Sequence, residues 1–310
     1  MDLSIIVVNW NTRELLRQCL RSIHATIGTS AIEFEILVVD NASVDGSADM
    51  VASEFPDAHL INNTTNVGFA KANNQAVRVA RGKCVLLLNS DAVLLPGAVS
   101  AMLRVFEQQP EVAIVGAQLL NPDGTFQGSF ADFPSLTGEL LLATRLARFV
   151  YSAAYPNYPA EQSQAPRSVD WVSGACLMAR AAAIADVGPL DEDYFMYTEE
   201  TDWCYRMRRA GWLVFYEPGA KVIHFGSQSS KRVPERRRSM IYQTKWLFMR
   251  KHRGRFAAEV FRGALLVVSA LKLVLWATRG LRADPTRRGL ARQHVRSYER
   301  LLLDLARATA

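Results

Sequence analysis

The chain has 310 residues, of which 49% are hydrophobic and 21% are charged, and this composition excludes an intrinsically disordered protein. Its net charge of +6 is distributed unevenly, because residues 1–230 contain 16 Lys and Arg against 25 Asp and Glu, whereas residues 231–310 contain 20 against 5. The sequence therefore predicts a folded domain over residues 1–230 and a basic extension over residues 231–310 that contacts an anionic surface.

The cysteines give no sign of a metal centre. Cys19, Cys84, Cys176 and Cys204 are scattered without metal-ligand spacing. Two of them lie in apolar runs, as expected of small buried side chains in a reducing compartment. The apolar run over residues 5–8 is too short for the hydrophobic region of a signal peptide, so we expect the catalytic part in the cytoplasm.

Strand and helix patterns alternate along the first part of the chain. Strands are predicted over residues 3–8, 34–39, 59–61 and 83–88. Helices are predicted over residues 12–26 and 47–54. A third helix follows the segment 66–71 and ends near residue 80, and a fourth begins after Pro96. The strands are apolar without alternation, which is typical of parallel strands buried on both faces. This order predicts an α/β fold with a doubly wound, mostly parallel sheet.

Polar side chains follow three of these strands. They are Asn9, Asn11, Asp40, Asn41, Asn89 and Asp91. Ligands bind beyond the carboxyl ends of parallel strands, so the two aspartates indicate one crevice, although each residue could also be a turn former or a helix cap. The GxGxxG and GxxxxGK[ST] motifs are absent, which disfavours a dinucleotide site or a P-loop.

The alternating pattern loosens after residue 121. Residues 151–168 are rich in Pro, Ala, Ser, Gln and Tyr, which is typical of a functional loop or lid. Order returns at residue 169, and two later strands are predicted over residues 212–216 and 220–225. The second of these places His224 near its end.

An acidic cluster lies at the predicted start of a helix. Glu199, Glu200 and Asp202 follow Thr198, a plausible N-cap. These carboxylates could simply complement the helix dipole, with Asp202 paired to Arg206 one turn later. Alternatively, one of them is the general base of a group-transfer reaction.

Transfer of a sugar from a nucleotide diphosphate would use these groups together. The reaction needs a pocket for the base and ribose, a divalent cation on the diphosphate and a carboxylate for the proton of the acceptor hydroxyl. Mg²⁺ and Mn²⁺ accept carboxylate, imidazole and phosphate ligands. Asp91 and His224 are therefore candidate ligands, although a lone histidine at a strand end is commonly structural.

Seven segments in this order carry a family resemblance. They are residues 4–11, 39–43, 66–73, 87–91, 171–175, 197–202 and 222–224. Together they resemble family 2 glycosyltransferases of the GT-A fold, in particular the bacterial rhamnosyltransferase-like branch, over residues 1–230. The resemblance implies inverting transfer of a sugar from a nucleotide-diphosphate sugar to a lipid-linked or cell-envelope glycan. It favours rhamnose as the sugar and dTDP-rhamnose as the donor.

The resemblance also implies which residues bind the nucleotide. They are Asn9, Asn11, Asp40, Asn41, Phe69, Lys71 and Asn89. Among them Asp40 matches the carboxylate that contacts the base or ribose at the end of the second strand. Phe69 and Lys71 lie in the segment that approaches the nucleotide.

The metal-binding motif that the resemblance implies is only half present. Asp91 matches the last residue of the metal-binding DxD motif and is also a donor-site residue, but Asn89 replaces the first aspartate. His224 matches the late metal-ligating histidine. Mg²⁺ or Mn²⁺ would therefore have two protein ligands, completed by the diphosphate.

Glu200 matches the catalytic base, at a position where aspartate is commoner in the family. Asp202 ranks second for this role and Glu199 third. Acceptor or sugar contacts are implied at Trp171, Ser173 and Gly174. Trp171 could present its ring to the apolar face of a sugar, or it could be an aromatic packed in the core.

The basic extension contains an apolar run over residues 263–278, broken only by Lys272. This run is shorter than the roughly 20 residues of a spanning helix. We expect an interfacial helix on anionic lipid, which places the protein peripherally on the cytoplasmic face of the inner membrane. A helix buried against the catalytic domain and a spanning or re-entrant segment are the alternatives. No nucleic-acid recognition module is present, so no nucleic-acid partner is expected.

Two other functions compete with rhamnosyl transfer. The donor could carry galactofuranose, glucose or N-acetylglucosamine. The chain could also be a non-catalytic, membrane-associated protein that binds a nucleotide sugar, with Asn89 marking a lost metal site.

Overall fold

The computed structural model describes residues 1–28, 31–144, 146, 165–226, 234–281 and 285–307. The loop expected over residues 151–168 lies outside these ranges as far as residue 164, and so do residues 231–233 of the basic extension. The described residues form two units. The sheet unit comprises residues 1–133, 165–195 and 199–226, and the helical unit comprises residues 134–144, 146, 196–198, 234–281 and 285–307. The helical unit thus contains residues 134–144, 146 and 196–198 in addition to the predicted basic extension.

All strands of the described chain belong to the sheet unit. They are β1 (Leu3–Asn9), β2 (Phe34–Asp40), β3 (His59–Asn62), β4 (Cys84–Asn89), β5 (Ala92–Leu94), β6 (Val112–Leu120), β7 (Phe126–Gln127), β8 (Phe130–Ala131), β9 (Arg167–Ser168), β10 (Trp171–Val172), β11 (Cys176–Arg180) and β12 (Leu213–His224). Its helices are α1 (Arg13–Ile27), α2 (Ser47–Glu54), α3 (Phe69–Val77), α4 (Ala98–Gln108), α6 (Ala181–Val187) and α7 (Glu199–Arg209). The helical unit contains α5 (Leu136–Thr144), α8 (Pro234–His252), α9 (Arg255–Leu281) and α10 (Pro285–Arg307).

The main sheet has the strand order β3-β2-β1-β4-β11-β6-β12-β5. The first four strands are parallel, and β6 is parallel to β12. β11 runs antiparallel to both of its neighbours, and β5 runs antiparallel to β12. Because β11 is reversed, its first residues lie beside the carboxyl end of β4. The predicted doubly wound, mostly parallel sheet is confirmed.

Each face of the sheet carries its own apolar core. On β1, Ile5 and Val7 pack with α1 and α4 on one face, whereas Ile6 and Val8 pack with α3 and α7 on the other. This burial on both faces explains why the strand sequences are continuously apolar. The four cysteines are free and buried, and burial raises the pKa of the Cys176 thiol to about 12.

The prediction of two separate strands near the end of the sheet unit is wrong, because the structure has one strand there. The sequence predicts separate strands over residues 212–216 and 220–225, and Pro218 and Gly219 lie between them. The structure has a single strand, β12, whose register against β6 shifts between Glu217 and Lys221. The residues between Glu217 and Lys221 form an irregularity within β12, and the strand continues in the same direction to His224.

The helical unit has a separate core of apolar side chains. Phe261 and Leu265 of α9 pack there with Met249 of α8 and Leu301 of α10. α9 is a 27-residue helix, longer than the predicted apolar run, and its length and composition would suffice to cross a membrane. Mean hydropathy reaches 1.9 in its most apolar window, of which only 17% is buried. The expectation that this segment is too short to span is therefore wrong on length.

Candidate functional site

The nucleotide end of the predicted site is a hydrogen-bonded corner at the carboxyl ends of β1 and β2. The Asp40 carboxylate accepts a hydrogen bond from Asn9 Nδ2 at 2.9 Å and another from the Ser43 backbone N at 2.8 Å. Asn9 Nδ2 also reaches Ser43 Oγ at 3.0 Å. Asp40 is only 4% exposed. These bonds fix the loop after β2 against the carboxyl end of β1.

Asn11 and Asn41 extend this corner in two directions. Asn11, with a φ of 56°, accepts a bond from the Val44 backbone N at 2.8 Å. Asn41 donates to the Gly68 carbonyl at 3.1 Å and accepts from the Val67 backbone N at 3.2 Å. Asn41 therefore ties the end of β2 to the segment that precedes α3.

The metal end of the predicted site lies where β4 and β12 end. Asp91 Oδ1 is 3.2 Å from His224 Nε2, and Asn89 Nδ2 is 3.4 Å from the same nitrogen. His224 is held in place through its other nitrogen, since Nδ1 is 2.5 Å from Gln127 Oε1. Gln127 Nε2 donates to the Asn121 side chain and to the His224 carbonyl, so its Oε1 must be the acceptor for the imidazole.

This arrangement orients the imidazole. Nδ1 carries the proton that is donated to Gln127, and Nε2 is the ring nitrogen that faces the Asp91 carboxylate. An imidazole nitrogen and a carboxylate oxygen thus lie 3.2 Å apart, and both are ligand types that a divalent cation accepts. The donor set therefore fits a divalent metal. In the described part of the chain, no group of three or more His, Cys, Asp or Glu residues could hold a metal on its own. The two residues would need ligands from a bound substrate.

The acceptor end of the predicted site joins Ser173 and Gly174 to Glu200. The Asn89 backbone N donates to the Ala175 carbonyl at 3.0 Å, which places the residues before β11 beside the metal end. A Cβ built on Gly174 would lie 3.4 Å from Glu200 Cβ and 3.8 Å from its carboxyl carbon. Glycine thus lets the half-buried Glu200 side chain lie against this turn. The Ser173 backbone N donates to the Ser129 carbonyl at 2.8 Å and anchors the same turn.

Glu199 and Glu200 have different surroundings although they are adjacent. Glu199 is 5% exposed, and its Oε2 has no hydrogen-bond partner among the described residues. Burial, and then the neighbouring Glu200 charge, raise the pKa of Glu199 well above its ordinary value. Tyr197 and Thr198 have φ values of 72° and 71°, a left-handed conformation that is costly for a β-branched residue. The first turn of α7 therefore contains a buried carboxyl, and the two residues before it have a strained backbone conformation.

Asp202 lies within a closed network. Its carboxylate accepts a 2.7 Å bond from Arg206 Nε and a 3.4 Å bond from Tyr194 Oη, and the residue is fully buried. Arg206 in turn donates to the Pro189 carbonyl at 2.7 Å. This network secures α7 to the loop that precedes it.

Three predicted residues lie in other settings. The Trp171 indole donates to the Asp132 carbonyl at 2.9 Å, and its half-buried ring packs at the edge of the core. Phe69 is also half-buried, and its backbone N donates to the Phe195 carbonyl at 2.6 Å. Lys71 is exposed on α3.

Two residues of the site were missed at the sequence level. Gln127 orients His224, and Ser43 bonds to both Asn9 and the Asn11 backbone. Ser43 lies within a recognised segment, so its proximity to Asp40 could have indicated it. Gln127 lies in a two-residue strand after a turn, and nothing in its local sequence points to the histidine almost a hundred residues later.

The fold and the arrangement of the site define the chain as a GT-A-type protein. A mannosyltransferase from Pyrobaculum calidifontis in complex with GDP-Man and Mn²⁺ aligns with a TM-score of 0.56 and 16% identity, covering 98% of this chain and 85% of that one. S. aureus TarS aligns with a TM-score of 0.51 and 15% identity, covering 100% and 92% of the two chains. At these identities the likeness shows the fold alone.

The sequence relationships establish the family. The model of glycosyl transferase family 2 matches residues 4–187, and the chain belongs to that family. An N-acetylglucosaminyl-diphospho-decaprenol L-rhamnosyltransferase of Mycobacterium tuberculosis is 30% identical over 254 residues, which are 76% of this chain and 82% of the relative. A low-salt glycan biosynthesis hexosyltransferase of Haloferax volcanii is 27% identical over 67% of this chain and 62% of its own length. The predicted family resemblance is confirmed.

Proposed function

We propose that this glycosyltransferase transfers a rhamnosyl group from a nucleotide-diphosphate donor, with dTDP-rhamnose as the favoured donor, to a lipid-linked glycan acceptor. The observation that carries the proposal is the contact of Glu200 with Gly174, next to the facing side chains of Asp91 and His224. The two contacts are linked by Ala175, the residue after Gly174, whose carbonyl accepts a 3.0 Å hydrogen bond from the Asn89 backbone N. The name of the mycobacterial relative supports both the sugar and the lipid-linked acceptor.

The donor occupies the crevice from its nucleotide end to its metal end. The corner formed by Asn9, Asp40 and Asn41 receives the base and ribose, because it closes the loop beyond β2. Asp91 and His224 would hold Mg²⁺ or Mn²⁺ together with the donor diphosphate. When bound, that cation neutralises the charge that develops on the departing nucleoside diphosphate. Asn89 orients the imidazole through Nε2 when no cation is bound, which gives this replacement of the usual aspartate a role.

Glu200 acts as the general base of a single displacement. It removes the proton of the acceptor hydroxyl, whose oxygen bonds to the anomeric carbon while the bond from that carbon to the diphosphate breaks. Attack opposite to the leaving group inverts the anomeric configuration. The surroundings of the two glutamates favour this assignment, because Glu200 is the more exposed of the two, whereas burial and then the Glu200 charge raise the pKa of Glu199.

Glu199 and Asp202 are positioning residues in this scheme. Asp202 is occupied by Arg206 and Tyr194, so it holds α7 and keeps Glu200 in register. Trp171, Ser173 and Gly174 border the acceptor side of Glu200. Trp171 begins β10, which pairs with β8, and Ser173 and Gly174 follow that strand.

The helical unit attaches the enzyme to an anionic membrane. Phe256, Val260, Val267, Leu271 and Val274 are exposed on α9 at intervals of three, four and seven residues, which places them on one face of the helix. Lys272 lies off this face, and its Nζ donates to the Ala143 carbonyl at 2.7 Å. The uncharged face supports an interfacial helix rather than a spanning one, because the opposite face is packed in the core of the helical unit. The protein would then act peripherally at the cytoplasmic face of the inner membrane.

A donor screen tests the transfer reaction. Purified protein is incubated with dTDP-rhamnose, UDP-galactofuranose, UDP-glucose or UDP-N-acetylglucosamine, with Mg²⁺, Mn²⁺ or EDTA, and with a short-chain GlcNAc-diphosphate lipid as acceptor. We expect metal-dependent rhamnosylation, and product NMR should show inversion. Preferential use of a different donor would refute the rhamnosyl assignment, and donor binding without transfer to any acceptor would favour the non-catalytic alternative.

Vesicle co-sedimentation tests the attachment. Wild-type protein should bind phosphatidylglycerol vesicles at low salt, and Val267→Asp with Leu271→Asp should weaken binding by roughly tenfold or more. Val44→Asp serves as the matched control, because Val44 is 90% exposed in the sheet unit. Absence of wild-type binding would refute membrane attachment without affecting the transfer assay.

A further inference from the structure

The helical unit contains a groove with a volume of about 600 Å³ between α9 and α10. It is lined by Trp276, Ala277, Gly280, Leu281, Arg288, Ala291, Arg292, Val295, Arg296 and Glu299. All of these residues belong to the helical unit, and none of them is a residue of the proposed glycosyltransferase site. Nothing in the transfer mechanism uses it.

One wall of the groove is a row of arginines. Arg288, Arg292 and Arg296 are spaced four residues apart on α10 and are all exposed. At 1.5 Å per residue the row is about 12 Å long on one helix face. Glu299 is the single carboxylate among the lining residues, so the lining has a net charge of +2. Such a row suits a phosphate group, which guanidinium groups bind through paired, charge-assisted hydrogen bonds.

The floor of the groove is apolar and closely packed. A Cβ built on Gly280 would lie 3.2 Å from Ala291 Cβ, so glycine permits the close approach of the two helices there. The Trp276 ring stacks on His294 with a centroid distance of 4.0 Å and an interplanar angle of 19°. The guanidinium of Arg279 lies 5.5 Å from the same ring. The tryptophan ring is therefore held by contacts with His294 and Arg279.

A cationic wall above an apolar floor matches an amphiphile rather than a free anion. We propose that this groove is a saturable binding site for one phosphate-headed lipid, with its phosphate on the arginine row and the first part of its chain on the floor. This proposal rests on the proposed membrane attachment and adds specificity to it. The exposed face of α9 provides only apolar contact, whereas the groove would select a lipid headgroup. The phosphate can belong to a phospholipid or to an isoprenoid diphosphate, since the two share this chemistry.

Calorimetric titration with soluble amphiphiles tests the site without requiring a membrane. The probes are dihexanoylphosphatidic acid and farnesyl diphosphate below their micellar concentrations, and inorganic diphosphate as the ligand without a chain. We expect saturable one-to-one binding of at least one amphiphile and much weaker binding of inorganic diphosphate. The tighter of the two amphiphiles identifies the lipid class.

Two variants locate that binding in the groove. The triple substitution Arg288→Gln, Arg292→Gln and Arg296→Gln should weaken amphiphile binding by roughly 100-fold, at about fivefold for each basic residue near a lipid phosphate. Ala277→Trp should weaken it without a change of charge, because the indole would occupy the exposed part of the floor. Circular dichroism and thermal melting should show that both variants stay folded.

The matched control removes the same charge elsewhere in the helical unit. Arg236→Gln, Arg237→Gln and Arg307→Gln are exposed positions outside the groove, and together they should change binding less than threefold. An equal loss in both triple variants would overturn the proposal in favour of diffuse charge attraction. Absence of amphiphile binding, or equally tight binding of inorganic diphosphate, would also overturn it. If wild-type protein bound vesicles but no soluble amphiphile, the groove would fail while the membrane attachment stood.

Discussion

The two ends of the proposed donor crevice differ in how their polar groups are arranged. At the proposed nucleotide end, the side chains of Asn9, Asp40 and Asn41 are engaged with one another or with the neighbouring backbone. At the proposed metal end, His224 Nε2 faces the Asp91 carboxylate. The first end is closed by its own hydrogen bonds, whereas the second brings together two ligand types that a divalent cation accepts.

The same contrast separates the two glutamates of α7. Glu199 is buried and its pKa is raised by burial, whereas Glu200 is half-buried and lies against Gly174, although the Oε2 atom of each is buried. A buried carboxyl with a raised pKa beside a second carboxyl is a common arrangement in sites for acid and base chemistry. Substitutions at the two ends should therefore affect different properties, catalysis at one and stability at the other.

The largest effect is expected for Glu200→Gln. Loss of the general base should reduce the rate of transfer by 10²–10⁴-fold, the usual contribution of such a group. Donor binding should stay nearly unchanged, because the amide keeps the size of the side chain. The measurement is kcat for transfer, with the Kd of the nucleotide-diphosphate sugar from calorimetry.

Glu200→Asp is the informative companion, since it keeps the carboxylate on a shorter side chain and should retain more activity than the amide variant. Activity above about one hundredth of wild type in Glu200→Gln would show that the base is a different residue. Asp202→Asn would then be the next variant to assay. Its melting temperature would need to match that of the wild type before a loss of activity could be assigned to catalysis.

A smaller effect is expected for Gln127→Leu, which removes the acceptor of His224 Nδ1 and leaves the ligands themselves in place. Loss of such an orienting partner typically weakens metal binding by 10–100-fold. Titration of the protein and nucleoside diphosphate with Mn²⁺, followed by electron paramagnetic resonance, measures this change directly. Gln108→Leu, on the exposed end of α4, is the control. Unchanged Mn²⁺ affinity in Gln127→Leu would indicate that His224 does not bind the metal.

The difference between the two ends also explains what the sequence could reveal. The continuous apolar runs of β1, β2 and β4 predicted the parallel core, and the polar residues that follow them predicted the crevice. Both are local patterns imposed by burial on two faces. The partnership of Gln127 with His224 depends instead on the pairing of β7 and β12 with β6, which no local pattern encodes.

The acidic cluster illustrates the same limit more sharply. The sequence located all three carboxylates at a helix start, and α7 begins at Glu199 as the pattern predicts. Which carboxylate is buried depends on the 100° rotation between successive helix residues and on what packs against each side. The reversed strand β11 brings Gly174 to Glu200, and its direction could not be inferred from an apolar run of five residues.

A moderate loss of stability is expected for Asn41→Ala at the nucleotide end. The substitution leaves the Val67 N–H and the Gly68 carbonyl without their side-chain partner. Unsatisfied buried groups of this kind cost about 1–3 kcal/mol. Urea unfolding measures the change, and Asn62→Ala is the control, because Asn62 is exposed and should stay within about 0.5 kcal/mol of wild type. Equal stability of the two variants would mean that the corner is not a structural element.

The smallest effect, and the one with the opposite sign, is expected for Glu199→Gln. Burial raises the native pKa of Glu199, so the native state holds this proton more tightly than the unfolded chain does. Ionisation of the carboxyl therefore removes native stability as the pH rises above about 4.3, the ordinary value for glutamate, until the native pKa is passed. Glutamine cannot ionise and avoids this loss. The variant should melt about 2–4 °C higher than wild type at pH 8 and near the wild-type temperature at pH 5.

The control for this pH dependence is Glu107→Gln, at an exposed position on α4. Its melting temperature should follow that of the wild type at both pH values, because an exposed carboxyl keeps similar solvation in the folded and unfolded chains. If Glu199→Gln instead destabilised the protein at pH 8, the carboxylate would be charged and bound in the native state. Glu199 would then replace Glu200 as the first candidate for the base, because a buried charge with an unpartnered oxygen would be aimed at the acceptor.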